Sequence, residues 1–158
     1  MRALTPLSLI LALAAAPAAL AGGGEITGPP RVVAGDLLEV AGTRLRLAGI
    51  DAPEPGQSCR LNQRSYDCGR ISATALMDLT AGVEVRCAPL EAGGDAPAAA
   101  VCYADDYDLS EGMVYTGWAL ADPHSGARYK RLEAGAKAAR RGLWRGSFEP
   151  PWEWRARH

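Results

Sequence analysis

The stretch Arg44-Leu-Arg-Leu-Ala-Gly-Ile-Asp-Ala-Pro-Glu54 carries the clearest structural pattern in this chain. Its first four residues alternate polar and apolar side chains, which is typical of a strand with one buried face. Leu45 and Leu47 are expected to face the core, with the two arginines on the opposite side. The sequence from Gly49 to Gly56 contains two prolines and predicts a loop after this strand.

An apolar segment lies just upstream of that strand. Val32–Val33 and Leu37–Val40 predict one strand that bends at Gly35, and Ala41-Gly42 predicts the turn into the next strand. Two strands joined by a tight turn form a hairpin, so the start of the first strand lies close to the end of the second.

Three carboxylates and an arginine are expected to meet at the open end of this hairpin. Asp36 can approach Asp51, and Glu54 follows Asp51 in the same loop. Carboxylates in one place repel each other unless a cation lies among them, and hard oxygen ligands suit Ca²⁺ or Mg²⁺. Arg46 at the rim can bind a phosphate through two N–H groups. These groups together are the parts needed for metal-dependent phosphodiester hydrolysis.

A simpler interpretation of the same residues is open. Aspartate and glutamate beside glycine and proline are ordinary loop residues, and Arg46 could pair with Glu39 on the protein surface. Spacing alone favours this simpler interpretation over a metal site.

Downstream of the loop, apolar residues at helical spacing predict a helix, and two apolar runs predict further strands. Asp108 lies three residues before Glu111, which is the spacing of a capping box at a helix start. These elements indicate a small α+β domain. The predicted elements are a helix over Gln63–Thr80, strands over Val83–Cys87 and Ala99–Tyr103, a short helix from Asp108 to about Gly117, a helix from about Ser125 to Arg141, and an aromatic tail over Phe148–Trp154 that packs back onto the domain.

The N-terminus has the pattern of a removable signal peptide. Arg2 precedes an apolar run over residues 9–21 that ends in Ala19-Leu20-Ala21, a small-x-small cleavage pattern. The run is too short to cross a bilayer. We therefore expect a signal peptide at residues 1–21, a flexible lead-in at 22–30 and one domain over 31–158. The mature protein is expected to be periplasmic or secreted, with no membrane segment.

The chain has four cysteines, all after the expected signal peptide. An even number in an exported protein indicates disulfides, and the absence of a Cys-x-x-Cys pair argues against a zinc site. Four cysteines allow three pairings. We favour Cys59–Cys68, which closes a short loop, and Cys87–Cys102, which would join two predicted strands.

Charge is unevenly distributed, although 17 basic and 18 acidic residues leave a net charge of only −1. From Glu84 to Asp122 the only basic residue is Arg86, whereas the chain from Arg128 onward is mostly basic. A basic segment can steer a protein toward phosphates, but it is also typical of the solvated face of a helix. The second interpretation is favoured.

The motifs of this chain resemble those of the staphylococcal nuclease family, in the same order and over nearly all of the chain after residue 21. That resemblance implies a five-stranded OB-type β-barrel with about three flanking helices, and calcium-dependent cleavage of DNA and RNA. The matching segments are Arg31–Val40, Arg44–Glu54, Val83-Glu-Val-Arg-Cys87, Cys102-Tyr-Ala-Asp, Met113-Val-Tyr-Thr-Gly-Trp-Ala119, Tyr129, Glu133, Ala136-Lys137 and Gly142-Leu-Trp144.

The resemblance also implies a role for each residue of the candidate site. Asp36 and Asp51 match the aspartates that bind Ca²⁺, and the carbonyl of Ala52 matches a backbone ligand. Glu54 matches the carboxylate that positions or deprotonates the attacking water. Arg46 matches the first of two arginines that stabilise the transition state.

The chain departs from the family pattern at two places. Ala34-Gly-Asp-Leu37 replaces the usual Asp-Gly-Asp-Thr, and Pro97 stands about where the second arginine is expected. An arginine finger at a phosphoryl transition state is worth about 10³–10⁵ in rate, and removal of one oxyanion-hole donor costs about 10²–10³. The candidate replacements for the second arginine are Arg60, Arg64 and Arg86.

Three functional hypotheses follow from this pattern. The favoured one is an exported calcium-dependent nuclease, weakened by the loss of the second arginine and acting on DNA or RNA as a monomer. The second is a nuclease-derived module that binds metal or nucleic acid without turnover. The third is a disulfide-stabilised structural or interaction domain with a vestigial site.

Overall fold

A computed structural model describes residues 24–90 and 96–158, so the expected signal peptide lies outside the described residues. The strands are β1 (Ile26–Gly28), β2 (Pro30–Ala34), β3 (Leu37–Val40), β4 (Thr43–Leu47), β5 (Ile50–Asp51), β6 (Ser58–Leu61), β7 (Arg64–Asp67), β8 (Val85–Pro89), β9 (Ala98–Ala104), β10 (Tyr107–Asp108) and β11 (Leu120–Ala121). The helices are α1 (Cys68–Leu79), α2 (Leu109–Thr116), α3 (Ala127–Ala138) and α4 (Pro151–Arg157), with a 3₁₀ turn at Gly142–Arg145.

One curled, mixed sheet forms the centre of the fold. Its strand order is β1-β8-β9-β4-β3-β2, and β10 pairs with β9. All of its pairings are antiparallel except that of β4 with β9. Two short pairs, β5 with β11 and β6 with β7, lie outside this sheet. The expected α+β class and OB-type fold are confirmed, and the described residues form four α-helices where about three were expected.

The structure corrects two predictions at the start of the domain. Val32–Val33 and Leu37–Val40 do not form one bent strand, because β2 and β3 pair with each other as an antiparallel hairpin. The reason is a tight turn at Gly35-Asp36, which reverses the chain. The expected flexible lead-in also differs: β1 lies within it and pairs with β8, where Thr27 is opposite Arg86.

The first helix begins later than predicted. Residues 64–67 form a strand, because Asn62 and Gln63 adopt positive φ angles of 48° and 66° and make the turn of the β6–β7 hairpin. The Asp67 side chain then accepts a hydrogen bond from the Arg70 backbone N–H at 2.8 Å and caps α1. Such a cap satisfies a donor that the first helical turn leaves unpaired.

The remaining predicted elements are confirmed, with ends that differ by a few residues. β4 has the expected alternation, with Leu45 and Leu47 buried. Asp108 accepts a hydrogen bond from the Glu111 N–H at 3.2 Å and begins α2, which ends at Gly117 in the left-handed conformation. Within residues 24–90 and 96–158, no helix has the length and apolar character needed to cross a bilayer.

Both favoured disulfides are confirmed. Cys87–Cys102 joins β8 to β9 at paired positions in the main core. Cys59–Cys68 joins β6 to the start of α1 and lies in a second, smaller core. That second core also contains Leu120 and Leu143 and is covered by partly buried aromatic residues: Tyr66, Trp118, Trp144, Phe148 and Trp152.

The C-terminal tail packs back onto the domain, as predicted, and its last part is a helix that the sequence analysis did not predict. Ser147 and Arg60 exchange two backbone hydrogen bonds of 2.9 Å, which attach the tail to β6. Pro151 occupies the first position of α4 and is buried. Proline suits this position because its missing N–H would have no helical partner there. This attachment places α4 beside the loop that carries Asp51 and Glu54, called the acidic loop below.

Candidate active site

Asp36 lies at the turn between β2 and β3 and is almost fully buried, with 2% of its surface exposed. The turn can approach α1 only because residue 35 is glycine. A Cβ atom there would lie 1.9 Å from the Ser72 hydroxyl oxygen and 2.9 Å from the Ala52 Cβ. The Ser72 hydroxyl is itself fixed, since it donates to the Trp118 carbonyl at 2.7 Å. Gly35 therefore places the Asp36 carboxylate beside the acidic loop.

Arg46 contacts Asp36, as the hairpin geometry predicts. Leu37 lies opposite Arg46 in the β3–β4 register, and an Arg46 Nη1 hydrogen donates to Asp36 Oδ2 at 2.7 Å. The Arg46 side chain is 40% exposed, so it lies at the rim of the site. The alternative pairing of Arg46 with Glu39 is wrong, because Glu39 forms its ion pair with Arg31 across the β2–β3 pair.

Asp51 ends β5 and lines the same pocket as Asp36. β5 is paired with β11, with Asp51 opposite Leu120, so the acid lies on a hydrogen-bonded strand. Asp122 follows β11, donates its backbone N–H to the Gly49 carbonyl at 3.0 Å and also lines the pocket. The pocket has a volume of about 270 Å³ and is lined by Asp36, Arg46, Ile50, Asp51, Asp122 and Arg155.

Glu54 is held by its backbone at the edge of this pocket. Its N–H donates to the Gln57 side-chain oxygen at 3.0 Å, and its carbonyl accepts from the Gln57 N–H at 2.9 Å. The start of α1 packs directly on that carbonyl, where a Cβ atom at Gly69 would lie 1.9 Å from the oxygen. The loop is therefore fixed on two sides, and the Glu54 side chain remains partly accessible.

Sequence analysis missed two residues of this site, Asp122 and, on α4, Arg155. Arg155 Nη1 donates to Asp51 Oδ1 at 2.8 Å and to Glu54 Oε1 at 2.6 Å, and its Nη2 donates to Asp51 Oδ2 at 2.7 Å. Arg155 lies 104 residues from Asp51 in the chain. No local pattern links positions so far apart, and the only signal was the generally basic C-terminal segment.

The charged groups of the site affect one another's protonation. Burial raises the pKa of Asp36 above its usual range, Arg46 opposes that rise, and the nearby charge of Asp51 adds to it. The hydrogen bonds to Asp51 hold the pKa of Arg155 above its usual range, so its guanidinium stays charged.

The donor chemistry of the pocket fits a hard cation. Asp36 and Asp51 offer carboxylate oxygens, Asp122 lies beside them, and the described residues that line the pocket include neither sulfur nor imidazole. Among the described residues, however, no three His, Cys, Asp or Glu side chains are arranged to hold a metal ion by themselves. Backbone oxygens and water would have to complete the coordination. A cation at Asp51 would also take an oxygen that Arg155 contacts.

None of the three arginines considered as replacements lines this pocket. Arg86 is paired with Glu25 and Asp106 at 2.7 and 3.0 Å. Arg60 donates to the Gln63 carbonyl within the β6–β7 hairpin. Arg64 lines a separate cavity of about 740 Å³ that also includes Tyr66, Trp118 and Arg145.

Comparison with known proteins agrees with this fold. Residues 44–146 match the family model described as staphylococcal nuclease homologue. The chain belongs to this family. The match includes Arg46, Asp51 and Glu54, whereas Asp36 and Arg155 lie outside the matched residues.

The proteins that this chain is similar to differ in length. The succinoglycan biosynthesis protein ExoI of Rhizobium meliloti (strain 1021) is 36% identical over 137 residues, covering 82% of this chain and 70% of that protein. Two probable staphylococcal-like nucleases of Oryza sativa subsp. japonica, CAN3 and CAN2, are 32% and 31% identical over 115 residues. These matches cover 71% of this chain and 28% and 29% of the rice proteins.

Proposed function

We propose that this protein is an exported nuclease that hydrolyses phosphodiester bonds of DNA or RNA with Ca²⁺ as its cofactor. The observation that carries the proposal is the convergence of Asp36, Arg46, Asp51 and Arg155 on one pocket, with Glu54 hydrogen-bonded at its edge. Membership of the staphylococcal nuclease family supports the reaction class.

Each residue of the site has its own proposed role in hydrolysis. Asp36, Asp51 and the Ala52 carbonyl would hold Ca²⁺, which supplies positive charge to the phosphoryl oxygens when it is bound. Arg46 at the rim donates N–H groups to the same phosphate. Glu54 accepts a proton from the attacking water. The water oxygen forms the new bond to phosphorus while the bond to the leaving oxygen breaks, and that oxygen takes a proton from solvent.

Export is a separate part of this proposal. Two disulfides favour an oxidising compartment, and residues 1–21 carry the signal-peptide pattern. We expect the protein recovered from the periplasm or medium to begin at Gly22. Mass spectrometry of that material checks this point, and an intact Met1 would contradict it.

A cleavage assay tests the proposed activity directly. Purified mature protein is incubated with heat-denatured DNA or with RNA in Ca²⁺ and in EGTA, beside Glu54→Gln. We expect cleavage only with Ca²⁺, and a fall of about 10²–10⁴-fold in the variant because the general base is lost. Glu84→Gln is the matched control, since Glu84 is exposed on the segment before β8.

The outcomes of this assay separate the three hypotheses. Equal cleavage in Ca²⁺ and EGTA, or none in either, would refute the proposed activity. Ca²⁺ binding by calorimetry without cleavage would support a binding module. If neither binding nor cleavage occurs, the structural or interaction domain is favoured.

A further inference from the structure

We propose that Arg155, carried by the C-terminal helix α4, is the second phosphate-binding arginine of this active site, an inference that rests on the proposed nuclease function. No motif within residues 44–146, the part that matches the family model, contains this residue. The inference instead follows from its contacts, from the anchoring of its helix and from the charge of the pocket.

The contacts of Arg155 place a guanidinium beside the reacting groups. One edge of its planar fork binds both oxygens of Asp51, and the same Nη1 also reaches Glu54. Phosphate presents pairs of oxygens that this fork binds in the same bidentate way. Since Glu54 is the proposed base, a phosphate bound by Arg155 lies next to the carboxylate that activates the water.

The anchoring of the tail keeps this guanidinium within reach of the pocket. Gln57 is fully buried and connects the two sides, because its side-chain oxygen accepts from the Glu54 N–H and its Nε2 donates to the Glu149 carbonyl at 2.8 Å. Pro151 is buried at the start of α4, four residues before Arg155. An arginine on an anchored helix loses less conformational entropy on binding than one on a free tail.

The negative charge of the pocket also favours a second cationic side chain. Asp36, Asp51 and Asp122 line it, and Glu54 lies at its edge, while Arg46 and Arg155 are the only cationic side chains that the described part of the chain contributes to the lining. A phosphodiester adds another negative charge to this group. The position before β9 holds Pro97, which has no charge to offer. Arg155 therefore supplies half of the positive charge that the lining side chains present.

Cation binding at Asp51 is coupled to phosphate binding at Arg155, because the two residues are hydrogen-bonded to each other. Arg155 now occupies both Asp51 oxygens, so a cation that binds Asp51 releases at least one N–H of the guanidinium. The Arg155 side chain is 43% exposed, which leaves it free to turn toward a substrate at the rim. The released N–H groups are then available to the phosphate that the same cation attracts.

The test compares Arg155→Gln and Arg155→Lys with Arg157→Gln. Arg157 lies on the same helix and forms an ion pair with Glu149, so it controls for the loss of a charge and a contact from the tail. Three quantities are measured: the Ca²⁺-dependent cleavage rate, the affinity for a single-stranded phosphorothioate oligonucleotide that resists cleavage, and the Ca²⁺ affinity by calorimetry. Thermal melting shows whether each variant is folded.

We expect a specific combination of results for Arg155→Gln. Cleavage falls by about 10²–10³-fold, as for loss of one donor to a transition state. Oligonucleotide affinity falls, and the slope of its logarithm against log salt decreases by about one, as for loss of one phosphate contact. Ca²⁺ affinity is kept or increased, because a competing cation has left Asp51. Arg155→Lys restores charge but not the bidentate contact, so its cleavage rate stays well below wild type. Arg157→Gln behaves as wild type.

Other results would overturn the inference. Unchanged cleavage and unchanged oligonucleotide affinity in a folded Arg155→Gln variant would exclude a phosphate contact, and faster cleavage would make Arg155 an inhibitory group. If wild type binds the oligonucleotide but never cleaves DNA or RNA, the proposed nuclease function fails while weaker binding by Arg155→Gln still supports the phosphate contact. Equal binding by both proteins in that case refutes the inference.

Discussion

At the scale of single residues, burial decides how the acidic groups behave. Asp36 is buried by the close approach of the Gly35 turn to α1, and that burial raises its pKa. Asp108 shows the same effect at the start of α2, where burial is again the largest cause. Tyr129 donates to Asp108 at 3.1 Å, and burial together with the Asp108 charge raises the Tyr129 pKa to about 12.

The Tyr129 pKa predicts a loss of stability at alkaline pH. Between about pH 10 and 12 the unfolded chain gives up the Tyr129 proton while the folded protein keeps it, so the free energy of unfolding decreases as pH rises through that range. Tyr129→Phe should lack this part of the pH dependence and should lose about 1 kcal/mol at neutral pH with the hydrogen bond.

Urea unfolding from pH 8 to 11.5 measures this effect, and Tyr107→Phe is a suitable control because Tyr107 is exposed. Parallel pH profiles for wild type and Tyr129→Phe would contradict the expected pKa.

At the scale of elements, the site depends on how the tail is attached to the acidic loop. The Cys59–Cys68 disulfide fastens β6 to α1, and β6 in turn binds the tail at Ser147. Gln57 forms a further connection, between Glu54 and Glu149. The position of α4, and therefore of Arg155, is set by contacts between segments that are far apart in sequence.

Gln57→Ala should loosen this connection. The variant leaves the Glu54 N–H and the Glu149 carbonyl without their partner in a partly buried place, and a fully buried unsatisfied group costs about 1–3 kcal/mol. We expect a lower melting temperature and a lower cleavage rate, because both Glu54 and Arg155 lose part of their positioning.

Ser58→Ala is the neighbouring control, since Ser58 is exposed. Equal melting temperatures for Gln57→Ala and Ser58→Ala would show that the Gln57 contacts contribute nothing to the fold.

At the scale of the whole molecule, distant parts of the chain combine their charges in one pocket. Asp36, Asp51 and Glu54 lie between residues 36 and 54, whereas Arg155 lies near residue 158. The net charge of −1 gives no indication that acidic and basic residues lie in different parts of the chain. All four basic residues of α3 are exposed, as the interpretation of a solvated helix face predicts.

Ca²⁺ should stabilise the whole molecule if Asp36 and Asp51 hold it. A ligand that binds only the folded state adds about 2.7 kcal/mol at a concentration 100 times its Kd. We therefore expect the melting temperature to rise with Ca²⁺ in wild type and to change little in Asp51→Asn.

Asp78→Asn provides the control, because Asp78 is an exposed acid on α1. A Ca²⁺-dependent rise that persists in Asp51→Asn would place the cation elsewhere.

Local patterns in the sequence by themselves determined most of the helices and strands and both disulfides. The alternation over β4, the Asp108 cap and the cysteine spacing predicted elements and disulfides that the structure confirms, because each depends on neighbours within a few residues or on one strand pairing. The hairpin argument likewise predicted that Asp36 lies near the end of the Arg46 strand. Where local interpretation was wrong, as at Gly35 and at residues 64–67, two turns reverse the chain where the apolar pattern suggested that it continues.

Only the tertiary structure decided what completes the site. Arg155 reaches Asp51 and Glu54 because the aromatic tail covers the second core and Gln57 binds it to the acidic loop. Asp122 reaches the pocket because β11 pairs with β5. Both contacts arise from packing between segments that are remote in sequence, and such packing leaves no periodicity or spacing in the residues themselves.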